Sequence, residues 1–174
     1  AHRRVHTAGQ ADDDALQFLG CGAHAADYPG RAYSARCMDM QLQGRTALVT
    51  GASAGIGRGI AKALAAEGVR LCVSARRADK LEEVAAEIVD AGGAAPLLIV
   101  QDMLAADAAE RIAGAALAGL GAVDILVNNA GGSRSFKELH AGEDAWNEAI
   151  ALNFHRPRQL GEALIDAMIA RKWG

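Results

Sequence analysis

Thr46-Ala47-Leu48-Val49-Thr50 runs directly into Gly51-Ala52-Ser53-Ala54-Gly55-Ile56-Gly57, and the reading of this stretch decides the fold. The apolar run has the length and aliphatic content of a buried strand. From Ile56 the spacing becomes helical, with Ile60, Ala61 and Leu64 continuing one face. The residues between form a phosphate-binding turn. Glycine at 51, 55 and 57 lets the backbone turn tightly, lets a pyrophosphate come close and lets the helix pack on its strand. Free N–H groups at the helix start face such a ligand, where the helix dipole favours negative charge. The spacing departs from Gly-x-Gly-x-x-Gly because residue 60 is Ile. For the loop alone, a tight turn without a ligand is the alternative.

Working outward, the chain alternates strand and helix from Arg45 onward. Thr46–Thr50, Val69–Ala75, Ala95–Gln101 and Val123–Asn128 read as four parallel strands. Between them lie helical patterns at Ile60, Ala61, Leu64, then Leu81, Val84, Ala85, Ile88, then Ile112, Ala116, Leu120. Gly68, Gly92 and Gly121 fall where these helices should stop. Right-handed crossovers then give a Rossmann-type, doubly wound α/β sheet in the spatial order three, two, one, four. A last helical stretch spans Glu143 to Arg171, with Pro157 expected to kink or break it. No fifth strand follows, so the sheet reads as truncated after the fourth strand and its helix.

Composition agrees with this class. Of 174 residues, 51% are apolar but only 4% aromatic, so the core must be built from Ala, Val, Leu and Ile, which suits a parallel sheet covered by helices. A net charge of -3 with Lys and Arg scattered among Asp and Glu offers no basic face for nucleic acid. No stretch is apolar enough to span a bilayer and no secretory leader is visible, which predicts a cytoplasmic protein. Three cysteines, with Cys72 in an expected buried strand, argue for reduced thiols over a disulfide framework.

Residues 1–39 lack either period and carry Asp12, Asp13 and Asp14 in a row. They read as a disordered or non-native extension, with the native start at Met38 or Met40, while 40–174 form the nucleotide-binding part. His2 with His6 and Cys21 with His24 only loosely resemble zinc-ligand pairs, and Cys37 stands alone, so no metal site is expected.

The carboxyl edge of the sheet carries the remaining candidates. An acidic residue at the end of the second strand takes a ribose 2′-hydroxyl, whereas arginine accommodates a 2′-phosphate. Here stand Arg76 and Arg77, so NADP is favoured over NAD; solvated helix-start charges are the alternative. Asp102 follows the third strand, where a carboxylate accepts from an adenine amino group. Asn128-Asn129-Ala130-Gly131 ends the fourth. Amide side chains there tie neighbouring loops together, and small Ala130 and Gly131 leave room for a ribose.

In its order Thr50-Gly51-x-x-x-Gly55-x-Gly57, Asp102, Asn128-Asn129-Ala130-Gly131 and helical Asn153, residues 40–174 resemble the short-chain dehydrogenase/reductase family. The 3-oxoacyl-acyl-carrier-protein-reductase-like branch is most similar. The resemblance implies that Gly51, Ser53, Ala54 and Ile56 hold the pyrophosphate and adenosine ribose. It also implies that Asp102 and Met103 flank adenine and that Asn129 contacts the cofactor beyond. Asn153 is the catalytic position retained, its backbone carbonyl holding a water in a proton relay; a helix-kink asparagine is the plainer alternative.

The family's serine and Tyr-x-x-x-Lys are not found, because the tyrosines are Tyr28 and Tyr33, before the loop. Residues 171–174 look like the end of the helix preceding the strand that bears the serine. Expected, then, is an NADP-dependent oxidoreductase, with NAD also admissible, acting on a small-molecule or acyl-carrier-bound carbonyl. The 174 residues alone should be inactive. Relatives assemble through the long helix containing Leu160, Leu164 and Met168, which implies a homo-oligomer for the full-length protein. The rival reading is a non-catalytic dinucleotide-binding module or sensor.

Overall fold

The computed structural model describes residues 40–132 and 140–174. The readings of residues 1–39 as an extension, and of its His and Cys pairs, lie outside the described residues. The unit Gln41–Gly174 runs β1 (Thr46–Thr50), α1 (Gly55–Ala66), β2 (Arg70–Ala75), α2 (Ala78–Asp90), β3 (Leu97–Val100), α3 (Ala108–Leu120) and β4 (Ile125–Val127). Then follow α4 (Glu143–Ile150), a π-helical turn (Ala151–His155) and α5 (Arg156–Arg171). All pairings are parallel and the order is β3-β2-β1-β4, as the alternation predicts.

Every residue of β1 is buried because helices cover both faces of the sheet. Period two then divides the core. Ala47 and Val49 pack with Leu71, Val73, Leu81 and Ile88 on the α1/α2 side. Leu48 and Cys72 pack with Ile112, Ala116, Leu160 and Leu164 on the α3/α5 side. Register places Leu48 between Cys72 and Leu126, so these side chains meet across adjacent strands.

β1 keeps the bounds read from sequence, whereas β2, β3 and β4 are shorter. Val69 donates to Leu64 O at 3.1 Å and so belongs to the turn leaving α1, and Pro96 has no N–H for the ladder before β3. The ladder's bonds outlast the strands after β3, with Gln101 N on Ala75 O, and before β4, with Asp124 N on Thr46 O, both at 3.0 Å.

Pro157 neither breaks nor sharply ends the last helix. It sits in the first turn of α5, where a missing N–H is tolerated. Immediately before it the helix widens, and Arg156 N donates five residues back to Ala151 O. On α5, Leu160 and Leu164 are 0% and 1% exposed inside the chain's own core, with Met168 packed against the same cluster. They are not available to a partner. The apolar side chains that α4, the π turn and α5 leave to solvent are Trp146, Ile150, Phe154, Ile165 and Ile169.

Candidate functional site

The carboxyl ends of β1, β2, β3 and β4 converge on one crevice of about 270 Å³. Gly51, Ser53 and Arg76 line one part of it; Asp102, Met103, Asn129, Ala130 and Gly131 line the rest. The sequence places all eight there. The volume falls below the roughly 300–1,000 Å³ of pockets that enclose a whole drug-sized ligand.

Thr50, the last residue of β1, holds this edge together. Its Oγ1 accepts from Asn129 N and Ala130 N, both at 3.1 Å, and donates to Val127 O at 3.3 Å. The hydroxyl's capacity is thereby filled. Asn129 returns the tie: Nδ2 donates to Thr50 O and Gly51 O, each at 3.1 Å. Loop and strand end are thus fixed as one body, the role that sequence assigned to the amide side chains.

The three glycines do different work. A Cβ at Gly51, whose φ is +67°, would lie 2.9 Å from Ala130 Cα and Asn129 Nδ2. One at Gly57 would lie 2.3 Å from Asn129 Nδ2 and 2.4 Å from Gly51 O. Both are small for the protein's own packing. A Cβ at Gly55 would meet nothing within 4 Å, so this is the glycine at which a ligand can approach the backbone.

Gly55, Ile56 and Gly57 form the first turn of α1 behind Ala54, an extended N-cap residue whose methyl cannot bond the free N–H groups. Ile56 is 77% exposed and, like Ala54, Gly55 and Gly57, lies outside the crevice lining. An uncapped helix start beside an open glycine suits an anion.

Where β3 ends, Asp102 Oδ1 accepts from Leu104 N at 3.0 Å, which turns the chain sharply. Met103 is 6% exposed, and its carbonyl accepts from Arg156 Nε at 3.1 Å. Arg156 thus links α5 to the wall. Arg76 and Arg77 lie exposed at the exit of β2, both lining the crevice.

Asn153 occupies the π turn. It does not line the crevice. Its Nδ2 donates to Gly132 O at 2.9 Å and Ala149 O at 2.7 Å, and its Oδ1 accepts from Gly132 N at 2.9 Å. A Cβ on Gly131 would lie 2.8 Å from that Oδ1, so glycine there admits the clamp. The residue that an α-helix would pair with the Asn153 carbonyl is Pro157, which has no N–H.

Sequence reading missed Thr50 as the hub, Arg156 as a tie and Ser74 as a lining residue. Ser74 had a signal, being the polar residue inside the apolar run Leu71–Ala75. Burial pushes the Cys72 thiol up to about 12, so it stays protonated and chemically quiet. Among the described residues no group of three or more His, Cys, Asp and Glu could hold a metal, and no helix is long and apolar enough to cross a membrane.

Residues 45–174 match the family model described as short chain dehydrogenase. The chain belongs to the short-chain dehydrogenase family. It is 43% identical to a short chain dehydrogenase of Pseudocercospora fijiensis over 77% of this chain and 44% of that protein. It is 35% identical to the 3-oxoacyl-[acyl-carrier-protein] reductase FabG of Escherichia coli over 78% of this chain and 54% of the reductase. Among solved structures, a metagenomic short-chain oxidoreductase in complex with NADP superimposes with a TM-score of 0.70 at 41% identity. That alignment covers 76% of this chain and 60% of that one. The chain spans about half the length of the curated family members it matches.

Proposed function

We propose that this chain is the cofactor-binding part of an NADP-dependent oxidoreductase that reduces a carbonyl or oxidises an alcohol. The observation that carries the reading is the meeting of Arg76 with the Gly51 turn in one crevice. A guanidinium there grips a 2′-phosphate with paired hydrogen bonds, where a carboxylate would repel it. The residues fit the group: Gly55 leaves the backbone open, α1 begins uncapped, and Asp102 and Met103 wall the adenine end. Gly51, Ser53, Ala54, Gly55, Ile56 and Gly57 would hold the pyrophosphate and ribose. Asn129, Ala130 and Gly131 would face the cofactor beyond. The relative solved with NADP and the reductase FabG support this cofactor and a carbonyl substrate, small or acyl-carrier-bound.

When bound, the nicotinamide supplies or accepts a hydride. This chain's own residues bind and orient it, and Asn153 holds the edge of the site in two ways. Its side chain fixes Gly132, and its carbonyl, with which Pro157 four residues on cannot pair, would hold a water that passes protons. Residues 1–174 contain no Tyr-x-x-x-Lys, so the chain alone should bind cofactor without turnover. The alternative reading is a non-catalytic dinucleotide-binding module or sensor. A cytoplasmic homo-oligomer, assembled through the exposed apolar stripe of α4 and α5, completes the proposal, as does the division into a 1–39 extension and a 40–174 nucleotide-binding part.

Calorimetry with NADPH and NADH tests the cofactor. The chain should prefer NADPH, and Arg76→Asp should weaken NADPH binding by roughly 10- to 100-fold while leaving NADH little changed. If neither dinucleotide bound, both readings would fall.

A further inference from the structure

Among the described residues, Ser74 Oγ is the buried side-chain polar atom without a hydrogen-bond partner. The residue is 1% exposed and sits near the end of β2, paired with Thr50 on β1 and Ile99 on β3. Its backbone is satisfied: the Ser74 carbonyl accepts from Ala52 N at 3.2 Å, which closes the phosphate-binding turn onto the strand. The hydroxyl has no such use. An unpaired buried hydroxyl is costly, and the rest of the run from Leu71 to Ala75 is apolar, so alanine would suit the strand better.

Direction follows from strand geometry. Side chains two apart share a face, so Ser74 projects on the same side as Cys72, into the cluster that contains Met103 and Leu152. Met103, Leu152 and Ser74 all line the crevice. Ser74 therefore lies in the wall of the crevice between Thr50 of β1 and Ile99 of β3, in the same lining as Gly51 and Asp102.

We propose that the Ser74 hydroxyl is a hydrogen-bonding group for a purine nucleoside in this crevice. It reaches the adenosine half of the ligand directly or through one ordered water, which supplies the partner that the fold withholds. The assignment rests on the dinucleotide reading above, and adds to it an uncharged contact in the same lining as Arg76.

The test compares the parent chain with Ser74→Ala by calorimetry, using NADPH and, as a probe without nicotinamide, adenosine 2′,5′-bisphosphate. Thermal melting without ligand is measured alongside. The variant should bind both ligands about tenfold more weakly, by the same factor for each, while its unliganded melting temperature stays equal or rises. Equal affinity in parent and variant would overturn the Ser74 assignment and leave the dinucleotide reading standing. A lower unliganded melting temperature would also overturn it, since the hydroxyl would then be serving the fold. Binding of neither probe by the parent would defeat the dinucleotide reading itself.

Discussion

Thr50 and Gly57 show how little material sets the geometry of the sheet's carboxyl edge. One hydroxyl orients two consecutive N–H groups, and one absent Cβ lets α1 close against Asn129. Gly57→Ala would press a methyl against the Gly51 carbonyl, which cannot yield without opening the turn. The substitution is expected to destabilise the chain by about 1–3 kcal/mol, as overpacking of tight cores does, and thermal melting reads this directly. Gly55→Ala should not clash, although its φ of +56° makes any side chain strained. At this scale the sequence was legible where a residue type is demanded by the backbone. It was silent where a common residue is placed by tertiary contact. Arg156 looks like any helix-surface arginine until Met103 is found beside it, and Thr50 like any strand residue until two N–H groups converge on it.

Element by element, strand order and helix stops followed from period and glycine, because a buried parallel strand and an amphipathic helix write themselves into local sequence. The irregularity in the last helix did not. A π turn depends on where the flanking residues pack, and the pattern announced only a proline. The turn gives Asn153 its reach to Gly132, so Asn153→Ala should release the segment leaving β4. Hydrogen exchange should show the Gly132 amide losing protection while amides in β1 and β2 keep theirs, because only the former loses its acceptor. Equal loosening of all these amides would assign Asn153 a global packing role instead.

For the whole molecule, the burial of Leu160 and Leu164 moves any contact between copies to the opposite face of the helix. Trp146, Ile150 and Phe154 recur every four residues, and Ile165 follows Phe154 by three helical turns, so they form one apolar stripe. Light scattering after size exclusion should find the chain self-associated, and Ile165→Asp with Ile169→Asp should shift it toward monomer without lowering its melting temperature. A monomeric parent would remove the stripe from consideration. The widened turn also acts on this scale, as a correction of phase. A π turn absorbs one residue more than an α turn, and each residue advances a helix by about 100°. Shortening the chain by one residue within 151–155 would leave Leu160 and Leu164 aimed at α3. The same deletion a few residues later would rotate them away from it, so this helix should tolerate length variation at one place along its course.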